Sequence, residues 1–422
     1  MPPNPSRFAW LPPRSTLLLL LALSGILAVS RMAFLSDMEF KGDERIIVEI
    51  IASLGSHAWT PLAPVSNHSG LAHSSLVYYV MRFLSGSRIQ PLSIAAGIAL
   101  FNSIAILLPM WLLAGRRQYL LTFAMCVTSM ALIFGSRKIW EPDLQAAWIC
   151  LMIGFLGPGS ERTTRWSAAL AGAGAFCLVM AGHMYLPAMF VAAVACAAIL
   201  LSFVLAKRWQ LVRGWLVGAA LGWATVVPWA VKMIAKAPGS SGASGADAHL
   251  HLADLWRALA MGITLPSPYA VYRLYLRSEI KELFAGPYDV TLTLTLICLG
   301  LACVAWMILV VAAVETTARR WREALRDSLV LAFAALVVCM PLALYLARLG
   351  TYLHFWFPVL PFSYYWIAWA LTRAPRAQQW LRRLLVLGCA TSLMAAVFLG
   401  CLVHENQGLP GEYGQSYRAS HR

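Results

Sequence analysis

Residues 16–35 read TLLLLLALSGILAVSRMAFL. The run carries a single charge, Arg31. At 1.5 Å per residue it is long enough to cross a hydrocarbon core of about 30 Å. The next residues, 36–54, read SDMEFKGDERIIVEIIASL and place Asp43 and Glu44 side by side just where the chain leaves the bilayer. A spanning helix that ends in an acid pair sets the question for the whole chain: what does a protein of this kind do with two carboxylates at the lip of its first membrane helix?

Composition extends the reading. Of 422 residues, 60% are hydrophobic and 12% charged, with a mean hydropathy of +0.69. A soluble domain carries roughly 25% charged residues, so the chain reads as a polytopic membrane protein. No polar stretch is long enough to hold a soluble domain, and residues 1–422 are read as one transmembrane unit. Apolar runs of spanning length cover residues 16–35, 92–114, 119–135, 144–157, 167–182, 186–206, 215–234, 290–314, 328–347, 354–372 and 384–403. The expected fold is therefore an all-α bundle of about eleven transmembrane helices.

The formal charge of +15 does not mark a nucleic-acid binder. The basic residues stand in short clusters between apolar runs, as topology signals do. Arg7 and Arg14 precede the first run. Arg116/Arg117, Arg162/Arg165, Lys207/Arg208/Arg213, Arg319/Arg320/Arg322/Arg326 and Arg373/Arg376/Arg382/Arg383 then fall in every second connection. This predicts a cytoplasmic N-terminus and puts Asp43 on the outer face. The basic start and the AVS before Arg31 resemble a signal peptide, but the length of the run favours an uncleaved anchor. The nine cysteines all lie in apolar runs, with no CxxC and no Cys/His metal spacing, and read as small core residues.

Two outer segments hold the remaining bulk, residues 36–91 and 235–289. The second opens with APGSSGASGADAHLH, a loop composition, and continues as YAVYRLYLRSEIKELF, which suits a helix at the interface. No internal repeat is visible. After Asp43 the residues Ile46, Ile47, Ile50, Ile51 and Leu54 form one helical face, while Arg45 and Glu49, one turn apart, can pair on the other. The segment reads as a short amphipathic helix on the outer leaflet with Asp43 at its N-cap. An N-cap Asp stabilises a helix by about 1 kcal/mol and needs no further role. That reading stands beside the functional one.

An outer-face DE pair that follows the first span and opens an amphipathic helix resembles the GT-C glycosyltransferases. The resemblance is to glycosyltransferase family 39 and its relatives, among them protein O-mannosyltransferases and lipid A aminoarabinose transferases. GDERIIVEI (42–50) is similar to the acid-acid-x-Arg pattern of the bacterial members. SGLAHSSLVYYVMRFLSG (69–86) is similar to their segment of a basic residue followed by a Tyr-rich helix, with His73 at the basic position and Ser74 and Ser75 in place of two prolines. SRKIWEPDLQAAW (136–148) resembles their second acidic patch through Glu141 and Asp143, and LGTYLHFWFPVLPFSYYW (349–366) the aromatic start of a late helix.

The resemblance implies transfer of a sugar from a polyprenyl-phosphate donor to a lipid, glycan or protein acceptor, at the outer face of a bacterial inner membrane. A carboxylate within hydrogen-bond reach of the acceptor hydroxyl takes its proton, worth roughly 10²–10⁴ in rate. Asp43 is the candidate base, with Glu44 orienting it or the acceptor. Fixed cations lower the barrier as negative charge grows on the leaving phosphate. The candidates are His73, Arg137, Lys138, Arg348 and His354, with His183 and Lys232 behind them. Arg137 and Lys138 stand against the positive-inside pattern, which favours a role in the site, whereas Lys232 also reads as a snorkelling lysine and His183 as structural. Glu141-Pro142-Asp143 also reads as a plain helix start. Trp140, Trp229, Trp256, Tyr269, Tyr272 and Tyr275 read first as an aromatic belt. Glu141 and Asp143 could hold Mg²⁺ or Mn²⁺ through oxygen ligands, and metal use is left open. Asn67-His68-Ser69 matches a glycosylation sequon, a short pattern common by chance. Two rival functions stay in view: a lipid-sugar flippase, disfavoured by spans almost free of charge at their centres, and a ligase or polymerase acting on whole glycans, for which the basic segment from Arg348 to His354 speaks.

Overall fold

A computed structural model describes residues 14–54, 65–66, 72–74, 76–161, 166–236, 252–269, 290–346, 353–375, 379–409 and 414–420. The chain is an all-α polytopic membrane protein. Among the described residues, eight helices are long and apolar enough to cross a membrane. They are α1 (Arg14–Met32), α4 (Pro91–Leu112), α8 (Ser167–Met184), α9 (Leu186–Leu205), α10 (Trp209–Lys236), α12 (Val290–Arg319), α14 (Ser328–Leu346) and α16 (Trp380–Asn406). Shorter helices complete the order: α2 (Gly42–Ser53), α3 (Leu76–Leu84), α5 (Arg117–Thr128), α6 (Met130–Gly135), α7 (Gln145–Glu161), α11 (Leu252–Thr264), α13 (Trp321–Ala324), α15 (Leu360–Arg373) and α17 (Tyr417–Ser420). Two small antiparallel pairs join β1 (Val65–Ser66) to β2 (Ala72–His73) and β3 (Gly408–Leu409) to β4 (Gly414–Gln415).

All eleven apolar runs lie on helix, and three of them are irregular for readable reasons. The run 119–135 breaks at Ser129, whose backbone is extended (ψ 116°) and whose hydroxyl accepts the Leu132 N–H at 3.3 Å, capping α6. The break leaves the last carbonyls of α5 without helical partners. Buried Arg31, in the last turn of α1, donates to the carbonyls of Val127 (3.1 Å) and Cys126 (3.0 Å) and so closes that end. The run 144–157 begins as a 3₁₀ turn, Glu141–Leu144, with Pro142 in its first turn. The run 354–372 begins with the 3₁₀ stretch Leu353–Val359, and the α-helix starts only at Leu360.

The helix α15 is the centre of the main core. Every residue from Leu360 to Leu371 is buried, as expected of a helix apolar on all sides. Three of its polar tips find partners: Tyr364 donates to Ser129 (2.8 Å), Tyr365 to Asp327 (3.2 Å) and the Trp366 indole to Thr317 (2.9 Å). On one flank α8 and α10 approach backbone to backbone. A Cβ at Gly218 would overlap the Gly172 carbonyl, and one at Gly214 the Ala168 carbonyl. Small residues permit such contact inside a bilayer, where packing rather than hydrophobicity joins helices.

The two ends of the bundle differ in charge. At one end Arg208, Arg326 and Arg373 line a single cavity of about 300 Å³, and the charge of Arg382 acts on Arg117. Four of the basic clusters therefore share an end, as their alternation predicts. At the other end lies a second, smaller core built from Met38, Phe40, Ile47, Ile51, Tyr78 and neighbours. The amphipathic helix α2 turns Ile47 and Ile51 into this core and leaves Ile46 exposed. Its other face departs from expectation, because Arg45 lies over the Phe40 ring, 5.7 Å from the centroid, rather than against Glu49.

Candidate functional site

The acid pair opens α2, but not in the register expected. The helix starts at Gly42 and its N-cap is Lys41, so Asp43 is not the cap. The capping work falls to Glu44 at the third helical position, whose Oε2 accepts the Lys41 backbone N–H at 2.8 Å. A Glu at that position reaching back to the cap N–H is one half of a capping box. Glu44 is buried in consequence, while Asp43, in the first turn, is exposed. Its side chain makes no hydrogen bond or ion pair among the described residues.

Behind the pair lies a network that the sequence did not lead us to expect. Lys138 bridges two carboxylates, with its Nζ 3.0 Å from Glu39 Oε2 and 3.1 Å from Glu44 Oε1. The ammonium also sits 4.2 Å from the centroid of the Trp140 ring, a cation–π contact. The other Glu39 oxygen lies 2.8 Å from Lys41 Nζ. Lys41 thus serves twice, with its N–H on Glu44 and its ammonium on Glu39. Two buried acids are thus balanced by two ammonium groups, Lys138 and Lys41, the condition under which charge survives away from water.

The second acidic patch joins the same place. Tyr78 of α3 donates to Glu141 Oε1 at 2.9 Å. Burial pushes the Glu141 carboxyl up; the Tyr78 hydrogen bond opposes this, and the charges of Asp43 and Glu44 reinforce it. Asp143 is buried and neither of its oxygens has a hydrogen-bond partner among the described residues. Burial holds it well above the usual carboxylate range; Lys138 offsets part of this and Glu39, Glu44 and Glu141 add to it. Gly135 is shaped to this arrangement, since a Cβ there would stand 3.3 Å from both Asp143 Oδ1 and the Phe357 ring. No group of three or more His, Cys, Asp or Glu among the described residues is placed to hold a metal ion.

The candidate cations fare unequally. Lys138 is at the site but is held by Glu39 and Glu44. Arg137 is buried and donates to the Phe34 carbonyl at 2.7 Å, tying the end of α1 to the loop that carries the acidic patch. His354, in the 3₁₀ stretch before α15, packs against Trp140 (4.6 Å between centroids), and its Nε2 lies 3.2 Å from the Tyr185 hydroxyl. Burial, aided by the Lys138 charge, pushes its pKa down to about 3, so the ring is neutral at physiological pH and acts by hydrogen bonding, not as a cation. His183 is buried between Ser74 (3.0 Å from Nδ1) and Thr225 (2.7 Å from Nε2), a structural bridge from α8 to α10. Arg348 and the side chains of His73 and Lys232 lie outside the described residues, as do the sequon at Asn67, the tyrosines Tyr272 and Tyr275, and most of the segment 235–289.

The site therefore assembles from the chain between Asp37 and Glu44, from α3, from the loop 136–143 and from His354. Glu39 and Tyr78 are site residues that the sequence alone did not single out. The signal for Glu39 was present: four of the chain's 18 acids fall in the eight residues from Asp37 to Glu44, a density too high for a helix start alone. The arrangement sets one exposed acid beside two buried ones whose carboxyls burial pushes up.

No protein-family model matches the chain, and no curated protein matches it. Among solved structures the chain is similar to the apo-form crystal structure of the Archaeoglobus fulgidus oligosaccharyltransferase, with 14% sequence identity and a TM-score of 0.49. The alignment covers 95% of this chain and 56% of that one, so the chain spans little more than half the length of that protein.

Proposed function

We propose that this protein is a membrane glycosyltransferase of GT-C type that moves a sugar from a polyprenyl-phosphate donor to an acceptor hydroxyl, with inversion, at the outer face of a bacterial inner membrane. One observation carries the reading. Asp43 stands exposed and without a partner among the described residues, while the acids around it, Glu39, Glu44, Glu141 and Asp143, are buried. An acid that served only structure would be the bound one; here the structural task belongs to Glu44.

In the proposed reaction the acceptor hydroxyl oxygen attacks the anomeric carbon as Asp43 takes its proton. The bond from that carbon to the lipid phosphate breaks, and its electron pair leaves on the phosphate oxygen. A single displacement of this kind inverts the anomeric centre. Glu44, pinned by Lys41 and Lys138, fixes the start of α2 and so the direction of Asp43. Because Lys138 is already neutralised, the leaving phosphate is assigned to His73 and Arg348, with Lys232 behind them. Lipid, glycan and protein acceptors all present the required hydroxyl.

The test is Asp43→Asn. At an exposed first-turn position, Asn for Asp removes only a favourable charge–dipole contact, worth about 0.3–1 kcal/mol. Melting in detergent should stay close to that of the parent, while sugar transfer from purified polyprenyl-phosphate donor falls about 10²–10⁴-fold, the usual worth of a general base. Near-native turnover would remove Asp43 from the mechanism.

A further inference from the structure

After α16 the chain turns back on itself. Gln407 (φ 57°) and Gly408 (φ 136°) reverse its direction, β3 and β4 form a short hairpin, and residues 415–417 run antiparallel to residues 38–40. The contact is specific. The Tyr417 N–H donates to the Met38 carbonyl at 3.0 Å, the Phe40 N–H to the Gln415 carbonyl at 3.3 Å, and Glu39 and Ser416 form a bridge. The rings of Phe40 and Tyr417 meet edge to face, with centroids 5.1 Å apart.

Side chains lock the same junction. Asp37 is buried, and its Oδ2 lies 2.6 Å from His404 Nδ1 while its Oδ1 lies 3.2 Å from Arg418 Nε. Arg418 Nη2 donates to the His404 carbonyl at 2.8 Å, and its Nη1 lies 3.4 Å from His404 Nε2. A guanidinium only donates, so His404 Nε2 is the acceptor and Nδ1 carries the proton given to Asp37.

We propose that the returning residues 414–420 are a working part of the acid site, and that Asp37, His404 and Arg418 are positioning residues for it. The connection from α1 to α2 carries one 3₁₀ turn, and its extended part has no sheet of its own. Its N–H and C=O groups need partners, and the returning chain supplies them. Pairing also sets the face on which each side chain emerges. Successive residues of an extended strand point to opposite sides. Met38 and Phe40 enter the small core, and Glu39 between them faces Lys41 and Lys138. A slip by one residue would turn Glu39 into the core and leave Lys138 with Glu44 alone. Only the kinetic consequence of this inference rests on the function proposed above.

The test reads Lys138 by its chemistry. The full-length parent, Arg418→Met, Arg418→Lys and a chain ending at Asn406 are each treated in detergent with an amine-acetylating reagent, and modification at Lys138 is followed by mass spectrometry. Lys138 should be protected in the parent and acetylated about tenfold faster in Arg418→Met and in the shortened chain, because local opening that frees its ammonium becomes easier. Arg418→Lys should fall between, since it keeps the charge on Asp37 but not the fork onto His404. Parent-like protection of Lys138 in the shortened chain overturns the inference. If that chain does not fold, parent-like protection in Arg418→Met, together with faster exchange of the Phe40 amide, overturns it equally. Where the parent transfers sugar, Arg418→Met should lower kcat by up to about 10²-fold with donor KM little changed. A parent that transfers nothing, yet whose Lys138 is unmasked by these changes, refutes the glycosyltransferase reading and leaves the positioning role standing.

Discussion

At the scale of single residues the site is a balance of charge, and that balance is open to measurement. Lys138, together with Lys41, balances Glu39 and Glu44, both buried. Lys138→Met should cost about 3–5 kcal/mol, because it leaves buried Glu44 without an ammonium partner and Glu39 with Lys41 alone. Thermal unfolding in detergent will show it, and adding Glu39→Gln and Glu44→Gln should recover part of the loss. Asp143 gives a prediction in pH. Its carboxyl is held well above the usual range, chiefly by burial, so the folded state binds a proton that the unfolded state releases near pH ~3.9. Stability from this group is full below that pH and is lost as pH rises toward the folded value. Asp143→Asn should therefore flatten the fall in melting temperature with rising pH. The sequence singled out Asp43 and Glu44 by their position at the end of an apolar run, and Glu141 and Asp143 through the resemblance of their segment to an acidic patch. It did not disclose which of the adjacent pair would be free, because the choice depends on where α2 begins, and Lys41 rather than Asp43 is its cap.

At the scale of elements the fold was legible wherever apolar length decided it. Each of the eleven runs is mostly helical among the described residues, and eight of them form helices long enough to span, because a segment of that composition has no other way to satisfy its backbone in a bilayer. What composition could not show was where helices break or touch. Ser129 interrupts one run by capping its second half, and no hydropathy average registers a single cap. The contact between α8 and α10 depends on glycines whose meaning is pairwise. Gly218→Val should push these helices apart at the Gly172 carbonyl. Overpacking of this kind costs about 1–3 kcal/mol; the melting temperature should drop, whereas Gly300→Val, at a position open to its surroundings, should leave it unchanged. The same pair carries His183 and Thr225, so the substitution should also loosen the Ser74 end of the α3 segment.

At the scale of the whole molecule, four of the basic clusters gather at one end and the acids of the site at the other, and this polarity predicts orientation. Glu49→Cys, on α2, should react with a membrane-impermeant thiol reagent in intact cells. Arg322→Cys, exposed at the arginine end, should react only after permeabilisation. The reverse pattern would invert the topology and place the acid site in the cytoplasm. The native cysteines lie buried or half-buried within helices and give a low background. The tie between the ends of the chain was hidden in the sequence for a simple reason: Asp37 and His404 are 367 residues apart, and nothing local announces the pairing. A similar long-range debt governs how the protein is made. The guanidinium of Arg31 enters the membrane with α1, yet its two carbonyl acceptors belong to α5, 95 and 96 residues later. Until α5 is inserted, that charge must reach up to the headgroups. Docking of α5 draws it inward, and only an α5 that stops at Thr128 has bare carbonyls to offer. Arg31 thus settles inside the bundle only once an apolar run broken at Ser129 has arrived to accept it.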